Sequence, residues 1–255
     1  MSSVTSQAVV RRPRAFIRVA GPDAADYLQR MVSNDVEALA PGESCDALLL
    51  TAKARVIAPL RVLRRAADDF LLLTEPELGD RVRAELLRMR FAAKAEIEPE
   101  QHESWLVLGG DEVVDERPAG DEVGEDEFER WRIEAGIPRW GREIDESILP
   151  AEAGLDETHI SFTKGCYPGQ EPIARQRYRG KVNRRLRVLD LEGDVSPGEE
   201  LFHDGKKVGR VTSASGELAL GFVRIEVPDN ARLVAGAGHA KVRRHDSSPT
   251  SSVVQ

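Results

Sequence analysis

The sequence predicts an α+β body followed by a small C-terminal β-barrel. Up to Leu108 the chain reads strand, helix, several strands, helix, then strands again. That order lacks the strict alternation of a doubly wound nucleotide fold. Beyond Lys181 it changes to short strands cut by turn signals at Pro197-Gly198, Asp204-Gly205, Ser215-Gly216 and Pro228-Asp229-Asn230, a spacing that suits a barrel. A chain of 255 residues is long enough for one or two domains with a real core.

Residues 1–13 are expected to form a flexible leader, and the polar stretch Met1–Gln7 carries no secretory signal. Ala15–Val19 alternates as a strand. Gly21-Pro22-Asp23 then opens a helix with Tyr27, Leu28, Met31 and Val32 on its apolar side. Ala47–Leu50, Val56–Leu63 and Phe70–Thr74 are strand-like, and Pro59 inside the second calls for an edge strand or a bulge. Pro76 suits a first helical position, followed on one side by Leu78, Val82, Leu86 and Met89. Lys94–Ile97 and Trp105–Leu108 read as further strands. From Asp111 to Glu129 there are ten acidic residues and one basic, so residues 111–127 read as a solvated acidic loop. A helix over Asp126–Ala135 ends with Gly136 placed as its C′ residue and Pro138 two positions later. Asp204-Gly205, between Leu201–His203 and Val208–Thr212, signals a hairpin. The expected division is a body over 14–180, a barrel over 181–245 and a disordered tail over 246–255.

Composition removes several function classes. Apolar residues make up 41% and charged residues 31%, which excludes wholesale disorder, and no apolar run approaches the ~18–20 residues of a membrane span. Cys45 and Cys166 are too few for a disulfide framework, so a cytoplasmic protein with reduced thiols is expected. A net charge of −8 argues against coating nucleic acid, and direct nucleic-acid binding is not expected. No G-x-G-x-x-G opens a helix, and Phe222 stands where a P-loop beginning at Gly216 would need lysine. There is no G-x-S-x-G elbow. Two cysteines and five scattered histidines offer no metal-ligand spacing, so no resident metal is expected; a cluster held in passing or shared between chains stays open. His159 reads as a chance neighbour of Cys166.

Three features could carry chemistry. Cys166 lies between Gly165 and Gly169, two residues after Lys164 and just before a helix start at Gln170-Glu171-Pro172. A lysine and a helix N-terminus both favour the thiolate, the nucleophilic and metal-binding form. The plain alternative is a small buried hydrophobe, and that is the reading for Cys45, beside a strand. Glu134 sits in the last turn of its helix, where a carboxylate opposes the dipole at a cost of ~0.3–1 kcal/mol if exposed. Such a residue is a ligand candidate, with an ordinary surface glutamate as the alternative. The basic run Arg175, Arg177, Arg179, Lys181, Arg184, Arg185 and Arg187, with Tyr178 inside it, suits carboxylates or phosphates. A polyanionic small ligand, nucleic acid or a solvated face would each account for it.

Lys164-Gly165-Cys166-Tyr167-Pro168-Gly169-Gln170-Glu171 resembles the K-G-C-[FY]-x-G-Q-E signature of the YgfZ folate-binding proteins. Arg132–Asp145 is similar to the matching stretch of the glycine-cleavage T-protein (GcvT), and Gly205–Ser213 resembles a barrel signature the two groups share. Gly21–Ala24 and Asn34–Val36 fall in the order both follow. The likeness spans residues 14–243. It implies two interleaved ferredoxin-like units around a central channel, a C-terminal barrel, and tetrahydrofolate or a one-carbon derivative as cofactor. It places the pterin on Glu134, whose two parallel acceptors match a pterin's two parallel donors. It also puts Tyr167 at the ligand and folate's anionic tail at Arg175 and Arg177. Cys166 then becomes the working thiol, and Lys164 the cation that lowers its pKa.

One departure bears on the reaction. Where the T-protein has two aspartates tied to aminomethyl transfer, this chain has Ala58-Pro59. The resemblance therefore implies support of iron–sulfur cluster assembly or repair in client enzymes, and through them tRNA thiomodification. The alternatives are a one-carbon transferase of the T-protein type and an RNA- or protein-docking module using residues 175–187. Whether the chain catalyses a reaction of its own stays open.

Overall fold

The computed structural model describes residues 7–180 and 182–244. The expected tail at 246–255, residues 1–6 of the expected leader, and Lys181 lie outside the described residues. The first strands are β1 (Ala8–Arg11), β2 (Ala15–Ala20), β3 (Ser44–Leu50), β4 (Val56–Ala66) and β5 (Asp69–Thr74). After them come β6 (Glu96–Glu100), β7 (Ser104–Val107), β8 (Glu112–Val114) and β9 (Asp121–Glu122). The C-terminal strands are β10 (Arg184–Glu192), β11 (Glu200–His203), β12 (Lys206–Ser215), β13 (Leu218–Arg224), β14 (Arg232–Ala235) and β15 (Gly238–Val242). The helices are α1 (Ala24–Met31), α2 (Gly79–Met89), α3 (Glu125–Glu134) and α4 (Gln170–Arg179).

The described residues form two compact units. One draws on residues 13–103 and 139–182, the other on residues 7–12, 104–138 and 183–244.

The first unit is built on an antiparallel sheet of order β3-β4-β5-β2-β6. Alternate strand residues, among them Ile17, Val19, Leu60, Val62, Phe70 and Leu72, share one core with α1 and α2, as a period of two requires. Helix α1 contributes Tyr27, Leu28 and Met31, and α2 contributes Val82 and Leu86. Each such buried side chain is worth about 1.5–3 kcal/mol of transfer free energy. The Tyr27 hydroxyl donates to the Leu86 carbonyl at 2.6 Å, tying the helices together, and burial pushes its phenol well above the usual range.

Several boundaries differ from expectation. Val32 has already left α1 and bridges to Leu49. Pro76 begins a short 3₁₀ turn, Pro76–Leu78, which leads into α2. The strand expected at Lys94–Ile97 starts at Glu96, because the Lys94 carbonyl accepts the Asp23 N–H at 3.3 Å and the Lys94 N–H donates to the Asp23 carboxylate at 2.7 Å. Pro59 lies in a strand with neighbours on both sides. The β4–β5 ladder runs only from Arg61↔Leu73 onward, so at Pro59 the β5 side is met by the Thr74 hydroxyl donating to the Pro59 carbonyl, 2.8 Å away. The missing N–H is therefore not needed there.

In the second unit β10-β13-β12-β11-β14-β15 close into a barrel around Leu189, Leu201, Val211, Val223, Leu233 and Val242. Ile133 of α3 packs on Leu218 and Leu220 of β13, with Leu186 and Val188 of β10 beside them. A second sheet has the order β8-β7-β1-β9. Residues 8–11, expected within a flexible leader, are therefore a paired strand, held because Val9 and Val10 are buried. The acidic stretch expected as a loop over 111–127 is also partly ordered. It contains β8 and β9, and Glu125, Asp126 and Glu127 form the first turn of α3, where the helix dipole favours negative charge.

Candidate functional site

Glu134 is the last residue of α3. The helix ends in a Schellman turn: the Gly136 N–H donates to the Ile133 carbonyl at 3.1 Å, and the Ile137 N–H to the Arg132 carbonyl at 2.8 Å. Gly136 takes φ +72° as the C′ residue of this turn, a left-handed conformation that glycine adopts without strain. The Arg132 side chain runs the opposite way to Glu134. Its guanidinium, 1% exposed, donates from Nε to Glu129 at 2.7 Å, from Nη1 to the Ile137 carbonyl at 3.0 Å, and from Nη2 to Ser213 Oγ at 2.7 Å. Glu134 points outward with 58% of its side chain exposed, and the Arg243 guanidinium comes within 3.9 Å of Oε1. Arg243 is itself bound to Asp190, with Nε to Oδ1 at 2.6 Å. The carboxylate thus faces a cation loosely and keeps its acceptors available.

The octapeptide lies in the other unit. Cys166 is exposed, as is Gly165, whereas the residues around them are fixed inward. Gly169 is the N-cap of α4 at φ +86°, and a Cβ there would stand 2.7 Å from the Thr51 carbonyl at the tip of the β3–β4 hairpin. Close approach and a left-handed backbone both require glycine. An open cleft of about 410 Å³ at that hairpin tip is lined by Thr51, Lys53, Arg55, Arg81 and Glu146, with Cys166 not among its walls.

Lys164 is fixed inward. Its Nζ donates to the carbonyls of Val32 and Asn34, each at 2.7 Å, and stands 5.5 Å from the centroid of the Tyr167 ring. Burial pushes the amine down to about 8, against Asp35, Cys45 and Glu37, which favour its charge. Cys45 is one thiol on which this lysine acts. Burial pushes Cys45 up to about 12, Asp46 adds to that, and Arg61 and Lys164 oppose it. Lys164 therefore anchors the loop. Tyr167 is buried, its phenol raised to about 12 by burial, so it too packs the loop inward and does not offer itself to a ligand at the surface.

The basic run is divided between the two units, on α4 in one and on β10 in the other. On α4 the Arg175 guanidinium pairs with Glu171 at 2.8 Å and Arg177 stacks 3.8 Å over Phe162, leaving Tyr178 exposed. On β10 Arg184 lies 4.8 Å over Phe222, and Arg187 donates to Asp229 and to the Arg243 carbonyl. His159 is half-buried, and desolvation pushes its imidazole down; Nδ1 lies 2.7 Å from Thr158 Oγ1. Among the described residues no group of three His, Cys, Asp or Glu is placed to hold a metal ion, and no helix is long and apolar enough to cross a membrane.

Sequence reasoning missed Arg132 and Ser213. The available signal was an arginine four residues after Phe128, on the buried side of α3.

Residues 183–250 match the family model for the CAF17 C-terminal β-barrel domain. The chain is 28% identical over 276 residues to a putative chloroplast transferase of Arabidopsis thaliana, covering 82% of this chain but 63% of that protein, less than two thirds of its length. It is 25% identical over 302 residues to the mitochondrial iron–sulfur cluster assembly factor IBA57 of Mus musculus, covering 94% of this chain and 82% of the relative. With the tRNA-modifying protein YgfZ of Edwardsiella ictaluri it shares 30% identity over 221 residues, 67% of this chain and 66% of the relative. The crystal structure of the glycine cleavage system aminomethyltransferase T of Bartonella henselae superimposes with a TM-score of 0.82 over 94% of this chain and 86% of that one. Identity there is 18%, so this match speaks to the fold alone.

Proposed function

Because the chain belongs to the YgfZ/IBA57 family, related to the glycine-cleavage aminomethyltransferases, we propose that it binds tetrahydrofolate or a one-carbon derivative and supports assembly or repair of iron–sulfur clusters in client enzymes of the cytoplasm. One observation carries this reading. Cys166 is presented to solvent on a loop whose flanking residues are locked, Lys164 on two carbonyls and Gly169 against the β3–β4 hairpin. A lone thiolate supplies one metal–sulfur bond, whereas a resident cluster takes about four ligands. Cys166 thus suits a cluster or a client thiol met in passing.

Glu134 suits the pterin. Its exposed carboxylate offers two parallel acceptors to the 2-amino group and the neighbouring ring N–H. The transferase alternative is weakened at Ala58-Pro59, since Ala58 is fully buried in the sheet core and no carboxylate stands there to hold a cationic methylene group.

The test is Cys166→Ala expressed in cells that lack the wild-type protein, with cluster-dependent enzymes assayed and the level of the variant checked. Their activities should fall towards those of the deletion strain. Activities equal to wild type would remove the thiol from the mechanism.

A further inference from the structure

Arg132 and Ser213 come from the two stretches that resemble T-protein and barrel signatures, and the structure joins them. Arg132 makes a reciprocal pair with Ile137: its carbonyl accepts the Ile137 N–H at 2.8 Å, and its Nη1 donates to the Ile137 carbonyl at 3.0 Å. Glu134, Ala135 and Gly136 are enclosed by that loop. The guanidinium is held in turn by Glu129 on the preceding turn of α3 and by Ser213 Oγ on β12. A helix C-terminus has four carbonyls without helical partners, and last turns fray unless those groups are satisfied. Here one buried side chain caps the chain just beyond the turn and fastens it to the barrel wall.

We propose that Arg132 and Ser213 are positioning residues for Glu134: the barrel serine sets the guanidinium, and the guanidinium fixes the turn that aims the carboxylate. This rests on Glu134 being the pterin acceptor. A planar, forked guanidinium is needed, because the three acceptors lie in different directions and an ammonium on a flexible stem cannot hold them in one geometry. Both residues lie within one unit of the chain and both are buried, so their effect on affinity runs through Glu134.

The test is a double-mutant cycle read by calorimetry with tetrahydrofolate. Ser213→Ala is expected to weaken binding roughly threefold to tenfold, the worth of one hydrogen bond. In a Glu134→Gln background the same change should do almost nothing, since the group being aimed has lost its charge. Arg132→Lys should show the same coupling, and it serves as the second variant if Ser213→Ala does not fold. Thr212→Val is the control. Its hydroxyl is also buried and donates to the Leu220 carbonyl at 3.0 Å, but it does not touch Arg132. It should lower thermal stability and leave affinity unchanged. Equal loss of affinity from Ser213→Ala in both backgrounds, or no loss in either, overturns the positioning role while leaving Glu134 as the acceptor. Unchanged affinity in Glu134→Gln alone overturns the pterin assignment and the positioning role with it.

Discussion

The turn carrying Glu134 and the loop carrying Cys166 are built alike. Each exposes one reactive side chain two residues after a buried cation, Arg132 in the first case and Lys164 in the second. Arg132 grips one backbone carbonyl and Lys164 two, and each segment includes a glycine at positive φ, Gly136 or Gly169. The difference lies in reach. Arg132 holds a carbonyl five residues away, whereas Lys164 holds carbonyls 132 and 130 residues earlier in the chain. The first device belongs largely to a helix end, with one added bond to the barrel. The second exists only once the sheet unit has folded. A local device tolerates disturbance elsewhere, and a long-range one transmits it.

This contrast is sharpened most by Gly169→Ala. The new Cβ would press on the Thr51 carbonyl in a backbone conformation that alanine resists, so a loss of roughly 2–3 kcal/mol is expected. Chemical denaturation checks it, and a loss below ~1 kcal/mol would mean that the loop is not seated on the hairpin.

A smaller effect is expected for Lys164→Met, about 1–2 kcal/mol at neutral pH, because two buried carbonyls lose their donor while a buried charge is also removed. Its pH dependence is more telling. The folded amine releases its proton near 8, and the unfolded one near 10.5. Between those values the unfolded chain holds the extra proton, so raising pH favours the folded wild type. The neutral amine still has two N–H donors for its two carbonyls. The stability gap between wild type and Lys164→Met should therefore widen from pH 8 to 10. A gap that is flat or narrows would contradict burial as the cause of the shift.

The same contrast explains what could be read from the sequence. Helix α3 and its stop at Gly136 and Pro138 were legible because a C-terminal cap is written in adjacent residues. The Asp204-Gly205 hairpin and the α+β order were legible for the same reason. The partners of Lys164 were not legible because they are carbonyls, which every residue carries and which no sequence pattern marks. Ser213 was overlooked on similar grounds, since a serine late in a strand looks the same whether or not an arginine reaches it. Strand β1 was missed because its four residues are short for a strand, and its partners β7 and β9 lie about 100 residues further along.

Titration of tetrahydrofolate into the wild type and Glu134→Gln reaches the folate claim most directly. The wild type should bind, and the amide, which offers one acceptor and one mismatched donor in place of two acceptors, should bind more weakly by about 1–3 kcal/mol. Equal affinities for the two proteins, or no heat from either, would contradict a pterin held by this carboxylate.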